Sequence, residues 1–412
     1  MSKRILVISQ RVPYPPNKGE KIRTFHQIQC LVRKGYEVDV SCSLEGAQDQ
    51  QHLKELGIKI NGNTQGFLYG EPKWWRLLKG LVSAKSLSEA NFFNKQLQEW
   101  LVKHVAEHRY CAVLLTASSL YPYALALQKN NATHSSTPPA ILIDFMDVDS
   151  DKWQQYANQS QWPMRVLYKR EAHLVRQLEK KCVDIADKVF LIAKAEIAVF
   201  NKTVTRSQNV VELGNGIDAH VFTPNAGEDK QQAVGNNVLF TGVMDYKPNI
   251  DAVIWFTKEI WPTVLSRFPE ATFTIAGMNP AETVKKLAEH PSIEVTGFVD
   301  DIMPYFHKAS AFVAPFQIAR GVQNKVLQAM SCGLPVITTP MGAEGILCKN
   351  EDNVLIARHA DEFAAALINT LSSSALAEQL SLSARKTILE HYSWESKMAP
   401  FFNALTENRH QQ

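Results

Sequence analysis

The sequence predicts an α/β protein built from two doubly wound parallel sheets in series. Short apolar runs of strand length alternate with helix patterns, and this alternation occurs in both halves of the chain. A polar, glycine-bearing stretch at 214–235 separates the two halves. At 412 residues the chain is also too long for one ordinary core. We therefore expect two domains facing each other across a cleft, where large ligand sites tend to lie.

The first half supplies the first domain, which we place at 1–212. Its apolar runs predict strands at 5–9, 37–41, 111–116, 140–144 and 188–192. Amphipathic patterns between them predict helices at about 20–34, 89–107 and 165–185. Parallel strands need crossover connections of this length, so the order of elements predicts a parallel sheet.

The second half repeats the pattern and supplies the second domain, at 213–392. We expect strands at 237–241, 272–276, 293–296, 311–314, 335–338 and 354–356, with helices at 248–267, 280–289 and 322–332. A last amphipathic pattern at 395–407 has apolar residues at helical spacing. We expect this terminal helix, within 393–412, to pack back on the first domain.

Composition and charge exclude several classes of protein. The chain has 44 basic and 41 acidic residues, which is too balanced to indicate a nucleic-acid partner. No window approaches the length of a transmembrane helix, and the apolar run at 5–8 is shorter than the core of a secretory signal. The six cysteines show no metal-ligand spacing and predict reduced thiols. We expect a cytoplasmic protein.

The stretch 314–346 carries the clearest functional signal. It has the pattern strand, glycine-bearing loop, helix, tight turn and strand. Loops after the carboxyl ends of parallel strands line the ligand crevice, and a helix N-terminus there attracts an anion. Arg320 and Lys325 add positive charge at the same end. The segment therefore predicts a site for a phosphate-bearing ligand.

Several motifs, in order, resemble those of the family-4 retaining glycosyltransferases. The N-terminal stretch 13–40, the NGID of 215–218 with Phe222-Thr223-Pro224, the FTGVMDYKPN of 240–249, the VTGFVDD of 295–301 and the stretch 314–346 make up the set. Each motif alone is weak, and the ordered set is specific. The stretches 144–157 and 164–179 further resemble sugar transferases associated with PEP-CTERM/exosortase exopolysaccharide systems.

The resemblance implies the GT-B fold, with the first domain for the acceptor and the second for a nucleotide sugar. It implies transfer with retention, no bound metal, and a glycan or lipid-linked acceptor in exopolysaccharide biosynthesis. Arg320 and Lys325 are the candidates for stabilising the leaving diphosphate, the role we class as catalytic. The other reading of Lys325 is a solvated helix face. The donor-binding candidates are Gly19, Gly242, Asp245, Phe298, Gly321, Val322, Gln323, Asn324 and Gln328.

The chain departs from the family pattern at its most informative segment. The family carries a pair of glutamates where this chain has Arg320 and Gln328. Gln328 can still offer an amide oxygen to ribose hydroxyls, although an amide accepts more weakly than a carboxylate. The basic pair that usually follows the first strand of the second domain is replaced by Val243 and Pro248, with Lys247 one residue away.

The first domain carries the acceptor-side candidates Lys18, Arg23, Ser118, Asp147 and Asp149. Lys18 and Arg23 flank Gly19, where the backbone can approach a phosphate or sugar closely. The alternative for that loop is a flexible connection with solvated lysines. Ser118 occupies a region where family members often carry a histidine.

Asp147 and Asp149 form a DxD triplet after a strand. Such a triplet binds Mg²⁺ or Mn²⁺ in GT-A enzymes. We favour the alternative, in which the carboxylates shape the cleft or cap the helix that begins near Ser150.

Trp74 and Trp75 lie in the stretch KWWRLLKGLV, which mixes two tryptophans with three cations. That composition is typical of an interfacial membrane segment, and peripheral contact with the inner face of the membrane is one interpretation. The other is a helix that packs its tryptophans on the first domain.

The sequence favours a glycosyltransferase and leaves two other functions open. A non-catalytic nucleotide-sugar-binding scaffold is consistent with the missing glutamates. A metal-dependent GT-A-like transferase would use Asp147 and Asp149. A dinucleotide-dependent oxidoreductase is disfavoured because no GxGxxG follows a strand.

Overall fold

The computed structural model describes residues 3–134, 138–225, 236–319 and 322–410. The chain divides into two compact units. The first comprises Met1–Asn215 together with Lys397–Gln412, and the second comprises Gly216–Ser396. Each unit is built around its own parallel sheet.

The sheet of the first unit has seven strands among the described residues, in the order β3-β2-β1-β4-β5-β6-β7. All of its ladders are parallel. The strands are β1 (Arg4–Ser9), β2 (Glu37–Leu44), β3 (Thr64–Leu68), β4 (Ala112–Leu115), β5 (Ala140–Met146), β6 (Lys188–Leu191) and β7 (Val210–Glu212).

The helices of this unit connect or flank those strands. They are α1 (Gly19–Arg33), α2 (Ala47–Ile58), α3 (Lys73–Val82), α4 (Leu87–Phe92), α5 (Lys95–Glu107), α6 (Tyr121–His134), α7 (Asp149–Gln159), α8 (Met164–Ile185) and α9 (Lys194–Thr203).

The sheet of the second unit has six strands within the described ranges, in the order β10-β9-β8-β11-β12-β13, again with parallel ladders. Its strands are β8 (Asn237–Thr241), β9 (Thr272–Ala276), β10 (Ile293–Gly297), β11 (Ala311–Ala314), β12 (Val336–Thr338) and β13 (Leu355–Ile356). Its helices are α10 (Lys247–Trp255), α11 (Trp261–Arg267), α12 (Glu282–Lys285), α13 (Met303–Lys308), α14 (Asn324–Ser331), α15 (Ala360–Ser372) and α16 (Ser374–His391), followed by α17 (Trp394–Lys397) and α18 (Ala399–His410) at the end of the chain.

The central strands are buried on both faces, which explains why they read as continuous apolar runs rather than as alternating ones. β1, with the sequence RILVIS, is buried from its second residue onward, and β11 is buried throughout. Apolar helix faces cover both sides of such a sheet. The expected class, two doubly wound α/β sheets, is therefore confirmed.

One long helix expected at 89–107 is in fact two helices, α4 and α5. The chain leaves the helical conformation at Phe93 and Asn94, and Asn94 caps the new helix. Its side-chain oxygen accepts hydrogen bonds from the backbone N–H groups of Gln96 (3.0 Å) and Leu97 (3.3 Å). Asn94 starts a new helix because it satisfies two backbone donors that would otherwise lack an acceptor. The apolar periodicity continues across the break, so the sequence pattern did not show that the helix is divided there.

The helix expected at 248–267 is also interrupted. A π turn at Phe256–Ile260 separates α10 from α11, and Pro262 stands in the first turn of α11. Proline has no N–H to donate to the carbonyl four residues earlier, so the regular helical ladder cannot continue through it. Likewise, the helix expected at 280–289 is the short α12 followed by a 3₁₀ turn.

The terminal helix α18 belongs to the first unit. Phe401 packs against Phe190 of β6, with ring centroids 5.6 Å apart, and Phe402 stacks on Tyr36 at 6.2 Å. The side chain of Lys188 pairs with Glu407 at 2.9 Å. Aromatic contacts and one ion pair thus hold the end of the chain against the first sheet.

No disulfide joins the six cysteines, all of which lie within the described residues. Within the part of the chain that the structure describes, no helix is long and apolar enough to cross a membrane.

A buried ion pair lies at the carboxyl end of β5. Asp144 accepts hydrogen bonds from Nε and Nη2 of Arg23 at 2.6 and 2.9 Å, and from Nε2 of Gln27 at 2.6 Å. Nη1 of Arg23 donates to Oδ1 of Asn215 at 2.8 Å. Both charged side chains are almost wholly excluded from solvent. The pair therefore ties α1 to the sheet and to Asn215, the last residue of the first segment of that unit.

We expect Asp144→Ala to lower the free energy of unfolding by about 3–5 kcal/mol, because it leaves the Arg23 guanidinium buried without a counter-charge. Urea denaturation of the purified chain measures this loss. The control is Glu107→Ala, which removes an exposed partner of Lys103 on α5 and should change stability by less than about 1 kcal/mol. Equal losses in the two variants would contradict the prediction.

Candidate functional site

The order of strands fixes where a ligand crevice forms in each unit. In the second sheet the order reverses between β8 and β11, which are neighbours in the sheet and far apart in sequence. In open parallel sheets the crevice lies outside the carboxyl ends of the strands at this switch point. The loop after β8 begins at Gly242, and the loop after β11 leads to α14 and Lys325. The strongest sequence candidates of this unit therefore border its switch point.

Gly242 and Gly277 bring two backbone segments unusually close together. A Cβ on Gly277 would lie 1.7 Å from the carbonyl oxygen of Gly242, and Gly277 has a φ of +152°. A Cβ on Gly242 would lie 2.8 Å from Nζ of Lys325 and from Nδ2 of Asn249. Only glycine fits at either position. The absent side chains leave room for the ends of Lys325 and Asn249.

Lys325 is the most unusual charged residue of the crevice. Its Nζ donates to Oδ1 of Asn249 at 2.7 Å and lies 4.9 Å from the ring centroids of both Phe240 and Phe316. Burial lowers the pKa of Lys325 from 10.5 to about 8. Among the described residues, no carboxylate pairs with it. This leaves a desolvated cation with one neutral partner and two aromatic faces.

Asn249, the neutral partner of Lys325, is itself held in a fixed orientation. It lies in the first turn of α10 and is buried, and its Nδ2 donates to the carbonyl of Val243 at 2.8 Å. That bond turns Oδ1 towards Lys325. The sequence analysis missed Asn249 and Gly277. Their positions in the sequence could have indicated them. Gly277 directly follows a predicted strand, and Asn249 lies in the first turn of the helix that follows another.

α14 is the helix that 314–346 predicted, although it is shorter than the expected 322–332. Val322 and Gln323 precede it and Asn324 begins it, so three donor-side candidates stand at its N-terminal end. Gln328 lies one turn beyond Lys325 on the same face. A cation in the first turn of a helix is unfavourable for the helix dipole, which suggests that an anion is its intended neighbour.

Arg320 and Gly321 lie outside the described residues. Their roles in the donor site stay predictions.

An apolar rim surrounds the crevice of the second unit. Large apolar side chains are exposed on the loops that follow five of its strands: Val243, Met278, Phe298, Ile318 and Met341. Exposed apolar groups that converge on one edge of a sheet are a common lining for a planar ligand. Phe298, a predicted donor contact, belongs to this rim.

Asp245 lies on the same edge, in the loop after β8. Its Oδ2 accepts a hydrogen bond of 3.2 Å from Nδ2 of Asn279, in the loop after β9. Asn279 has a φ of +56°, in the left-handed region that asparagine tolerates better than most residues. This bond links two neighbouring loops of the crevice.

The switch point of the first sheet lies between β1 and β4. Lys18 and Gly19 are exposed where the loop after β1 enters α1, and a Cβ on Gly19 would meet no atom within 4 Å. Ser118 is buried in the short turn after β4. Nε2 of Gln10 donates to Oγ of Ser119 at 2.6 Å and thereby joins the two loops.

Arg23 does not reach the surface of this crevice. It is about 1% exposed and holds Asp144 and Asn215 as described above. These contacts give it a positioning role. The acceptor contact expected for it stays a prediction.

Asp147 and Asp149 both pair with Lys152, at 2.6 and 3.6 Å. α7 begins at Asp149, and its N-cap residue is Val148, whose side chain accepts no hydrogen bond. The backbone N–H of Ser150 in the first turn donates to Oε1 of Glu179 at 3.0 Å, so the capping role expected for Asp147 and Asp149 is wrong. The lysine, five and three residues away, competes successfully for both carboxylates. Among the residues described, no group of three or more histidine, cysteine, aspartate or glutamate side chains could hold a metal ion.

Trp74 and Trp75 project from α3 rather than into the first unit. Trp74 is 65% exposed and Trp75 40% exposed, and their rings meet edge to face at 5.2 Å. Arg76 and Gly80 form the buried side of the helix. The interpretation in which both tryptophans pack on the domain is therefore wrong.

The second unit is similar to a known family. Residues 235–373, about a third of the chain, match the family model described as "Glycosyl transferases group 1". An "Uncharacterized 44.6 kDa protein in cps region" of Klebsiella pneumoniae is 21% identical over 97% of this chain and 99% of its own length. A "Phosphatidyl-myo-inositol mannosyltransferase" of Mycobacterium tuberculosis is 26% identical over 49% of this chain and 55% of its own length.

Solved structures resemble the chain over nearly its full length. A glycosyltransferase from Rickettsia africae aligns with a TM-score of 0.61 at 13% identity, and the alignment covers 100% of both chains. Anabaena Alr3699/HepE, solved in complex with UDP, has a TM-score of 0.56 at 14% identity and covers 98% of this chain and 100% of its own. Likeness at such low identity shows the fold alone. It confirms the expected GT-B type of two Rossmann-like sheets.

Proposed function

Because residues 235–373 carry a group 1 glycosyltransferase domain, we propose that this protein transfers a sugar from a nucleotide sugar to a glycan acceptor. The observation that carries the proposal is Lys325, a desolvated cation at the switch point of the second sheet with no carboxylate partner among the described residues. A diphosphate supplies the missing negative charge. The likeness to a protein solved with UDP supports a nucleotide as its source.

We propose a place in the second unit for each part of the donor. Lys325 and the N-terminal end of α14 hold the diphosphate, and the same charge stabilises it as it leaves. The glycines at 242 and 277 leave room for Lys325 and Asn249 to pack closely against the backbone, which holds the amine at the carboxyl end of β8. The exposed apolar rim meets the base, and Gln328 accepts a hydrogen bond from the ribose in place of the family's glutamate.

We further propose retention, independence of a metal, and an acceptor that is lipid-linked and belongs to exopolysaccharide synthesis. Retention and metal independence rest on the resemblance of the motifs. The relative from a "cps region" supports a role in polysaccharide synthesis. The exposed tryptophans of α3 support peripheral contact with the inner face of the membrane.

A non-catalytic nucleotide-sugar-binding scaffold is the second candidate. It is favoured by the amide of Gln328, which stands where the family carries a carboxylate. The two candidates differ in turnover. We expect the purified chain, given a panel of nucleotide sugars, to hydrolyse or transfer the one that raises its melting temperature most. Binding of a nucleotide sugar without any turnover, with and without membrane lipid extract, would favour the scaffold instead.

We expect the affinity for UDP to fall about tenfold between roughly pH 7 and pH 9, because Lys325 loses its charge as the pH passes the pKa of about 8. The sign follows from the protonated amine being the form that binds the diphosphate. Isothermal titration calorimetry at several pH values measures the change. In Lys325→Gln the affinity should be lower at pH 7 and nearly independent of pH above it. A variant that keeps the wild-type profile would remove Lys325 from the site.

We expect activity to survive EDTA, because lysine and a helix N-terminus neutralise the leaving group in this proposal. The assay is sugar release or transfer after dialysis against EDTA, with Mg²⁺ or Mn²⁺ added back. Activity that disappears with EDTA and returns with Mn²⁺ would favour the metal-dependent alternative. Asp147→Asn and Asp149→Asn then test whether that pair holds the metal.

A further inference from the structure

A cavity in the first unit lies apart from both switch points. It has a volume of about 480 Å³ and opens beyond the carboxyl end of β3, beneath α3 and beside the start of α5. Its lining includes Tyr69, Arg76, Lys79, Lys85, Phe93 and Lys95. The sequence analysis assigned no role to this region beyond the two tryptophans of α3.

Arg76 is a buried charged group that lines this cavity. It is 5% exposed, and its guanidinium lies 3.4 Å from the ring centroid of Tyr69. Nη2 donates to Glu45 at 2.7 Å and to Asn91 at 3.3 Å, while Nη1 donates to the carbonyl of Glu71 at 3.1 Å. Its Nε is buried and has no hydrogen-bond partner among the described residues. A buried donor without an acceptor indicates a missing partner.

The lining is strongly positive. Four cations and one carboxylate, Glu71, line the cavity. Lys79 pairs with Glu71. Among the described residues, the ion pairs of Lys85 and Lys95 are long, at 3.7 Å to Glu89 and 3.5 Å to Glu99, and the exposed pair of Lys95 is of a kind worth little. The amine of Lys85 also lies 5.3 Å from the ring centroid of Phe93. An anion in the cavity would therefore gain several partners at a small cost in existing pairs.

The outer surface of α3 is apolar, which reverses the usual arrangement of a surface helix. Its exposed residues at helical spacing form what we term the apolar face: Trp74, Trp75, Leu78, Leu81 and Val82. The arginine points inward and the tryptophans outward. An exposed apolar patch of this kind marks an interaction surface.

The start of α8 extends this face. Nη2 of Arg170 donates to the carbonyls of Gly80, Ser83 and Lys85 at 2.8, 2.6 and 3.1 Å, so the end of α3 lies against α8. One turn before Arg170, and just ahead of the helix, large apolar side chains are again exposed: Trp162, Met164 and Val166. Two elements of the first unit thus present exposed apolar side chains, and the end of α3, which borders the cavity, lies against α8.

We propose that the cavity holds the phosphate of an anionic membrane lipid while its hydrocarbon meets the apolar face. A phosphate satisfies Arg76, Lys85 and Lys95 through charge-assisted hydrogen bonds. Tryptophan and leucine at the same edge suit the boundary between headgroups and acyl chains. The lipid phosphate has two sources, the bulk phospholipid of the membrane and the phosphate of a lipid-linked acceptor. The inference rests on the membrane-side acceptor proposed above.

The test is co-sedimentation of the full chain with three kinds of vesicle, in the absence of nucleotide sugar. The vesicles contain phosphatidylcholine alone, phosphatidylcholine with phosphatidylglycerol, or phosphatidylcholine with a polyprenyl phosphate. We expect binding to exceed that to phosphatidylcholine for at least one anionic composition. Binding to both assigns the site to lipid phosphates in general. Binding only to the polyprenyl phosphate assigns it to the acceptor.

Lys95→Gln and Lys103→Gln make a matched pair on α5. Both lysines are exposed and each pairs with a glutamate four residues on, but only Lys95 lines the cavity. We expect Lys95→Gln to weaken binding to anionic vesicles about fivefold and Lys103→Gln to leave it unchanged. For the apolar face, Leu81→Ser should weaken binding, whereas Leu382→Ser, at an exposed leucine of the second unit, should not.

Equal binding to all three vesicles, or equal effects of the two lysine variants, overturns the inference. Because no donor is present, these results are separate from turnover. A chain that binds lipid phosphate but transfers no sugar contradicts only the proposed function. A chain that transfers sugar without preferring anionic vesicles contradicts only the present inference.

Discussion

Parallel pairing is the constraint on which the rest of this structure depends. Parallel strands cannot be joined by tight turns, so each is followed by a crossover and every carboxyl end arrives at the same edge of its sheet. In both sheets the order reverses once, between β1 and β4 and between β8 and β11. The loops that carry Gly242, Lys325, Lys18 and Ser118 are therefore brought together by topology rather than by nearness in sequence.

Periodicity and strand length were sufficient to predict the two sheets, because strands buried on both faces read as apolar runs. They were insufficient where a single residue decides the backbone. Asn94 divides one apolar helix pattern into two helices, and Pro262 enforces a π turn, while the periodicity continues across both. For the site, charge and glycine predicted Lys325 and Gly242. Asn249 was missed because its importance lies in a 2.7 Å hydrogen bond that only the folded chain creates. Gly277 was missed because only the folded chain brings the carbonyl of Gly242 so close that a Cβ there would clash with it.

Three buried cations differ in how completely the surrounding residues supply them with hydrogen-bond and charge partners. Arg23 has a complete set of acceptors, including the carboxylate of Asp144, and it needs nothing more. Lys325 has a single amide and two aromatic rings around it, and burial lowers its pKa. Arg76 is intermediate, with Glu45 on one nitrogen and a buried Nε without a partner. The completeness of the partner set, rather than burial itself, distinguishes the three roles.

The outward tryptophans and leucines of α3 also govern how the isolated protein behaves in water. Arg170 fastens the end of this helix to α8, so the apolar side chains cannot fold away beneath the surface. An outward apolar face favours self-association when a protein is concentrated, and screening of the surrounding lysines by salt removes the repulsion that opposes it. The tendency of the protein to aggregate then depends on this one helix more than on the balanced overall charge. A mild detergent that covers the apolar side chains of α3 would reduce it.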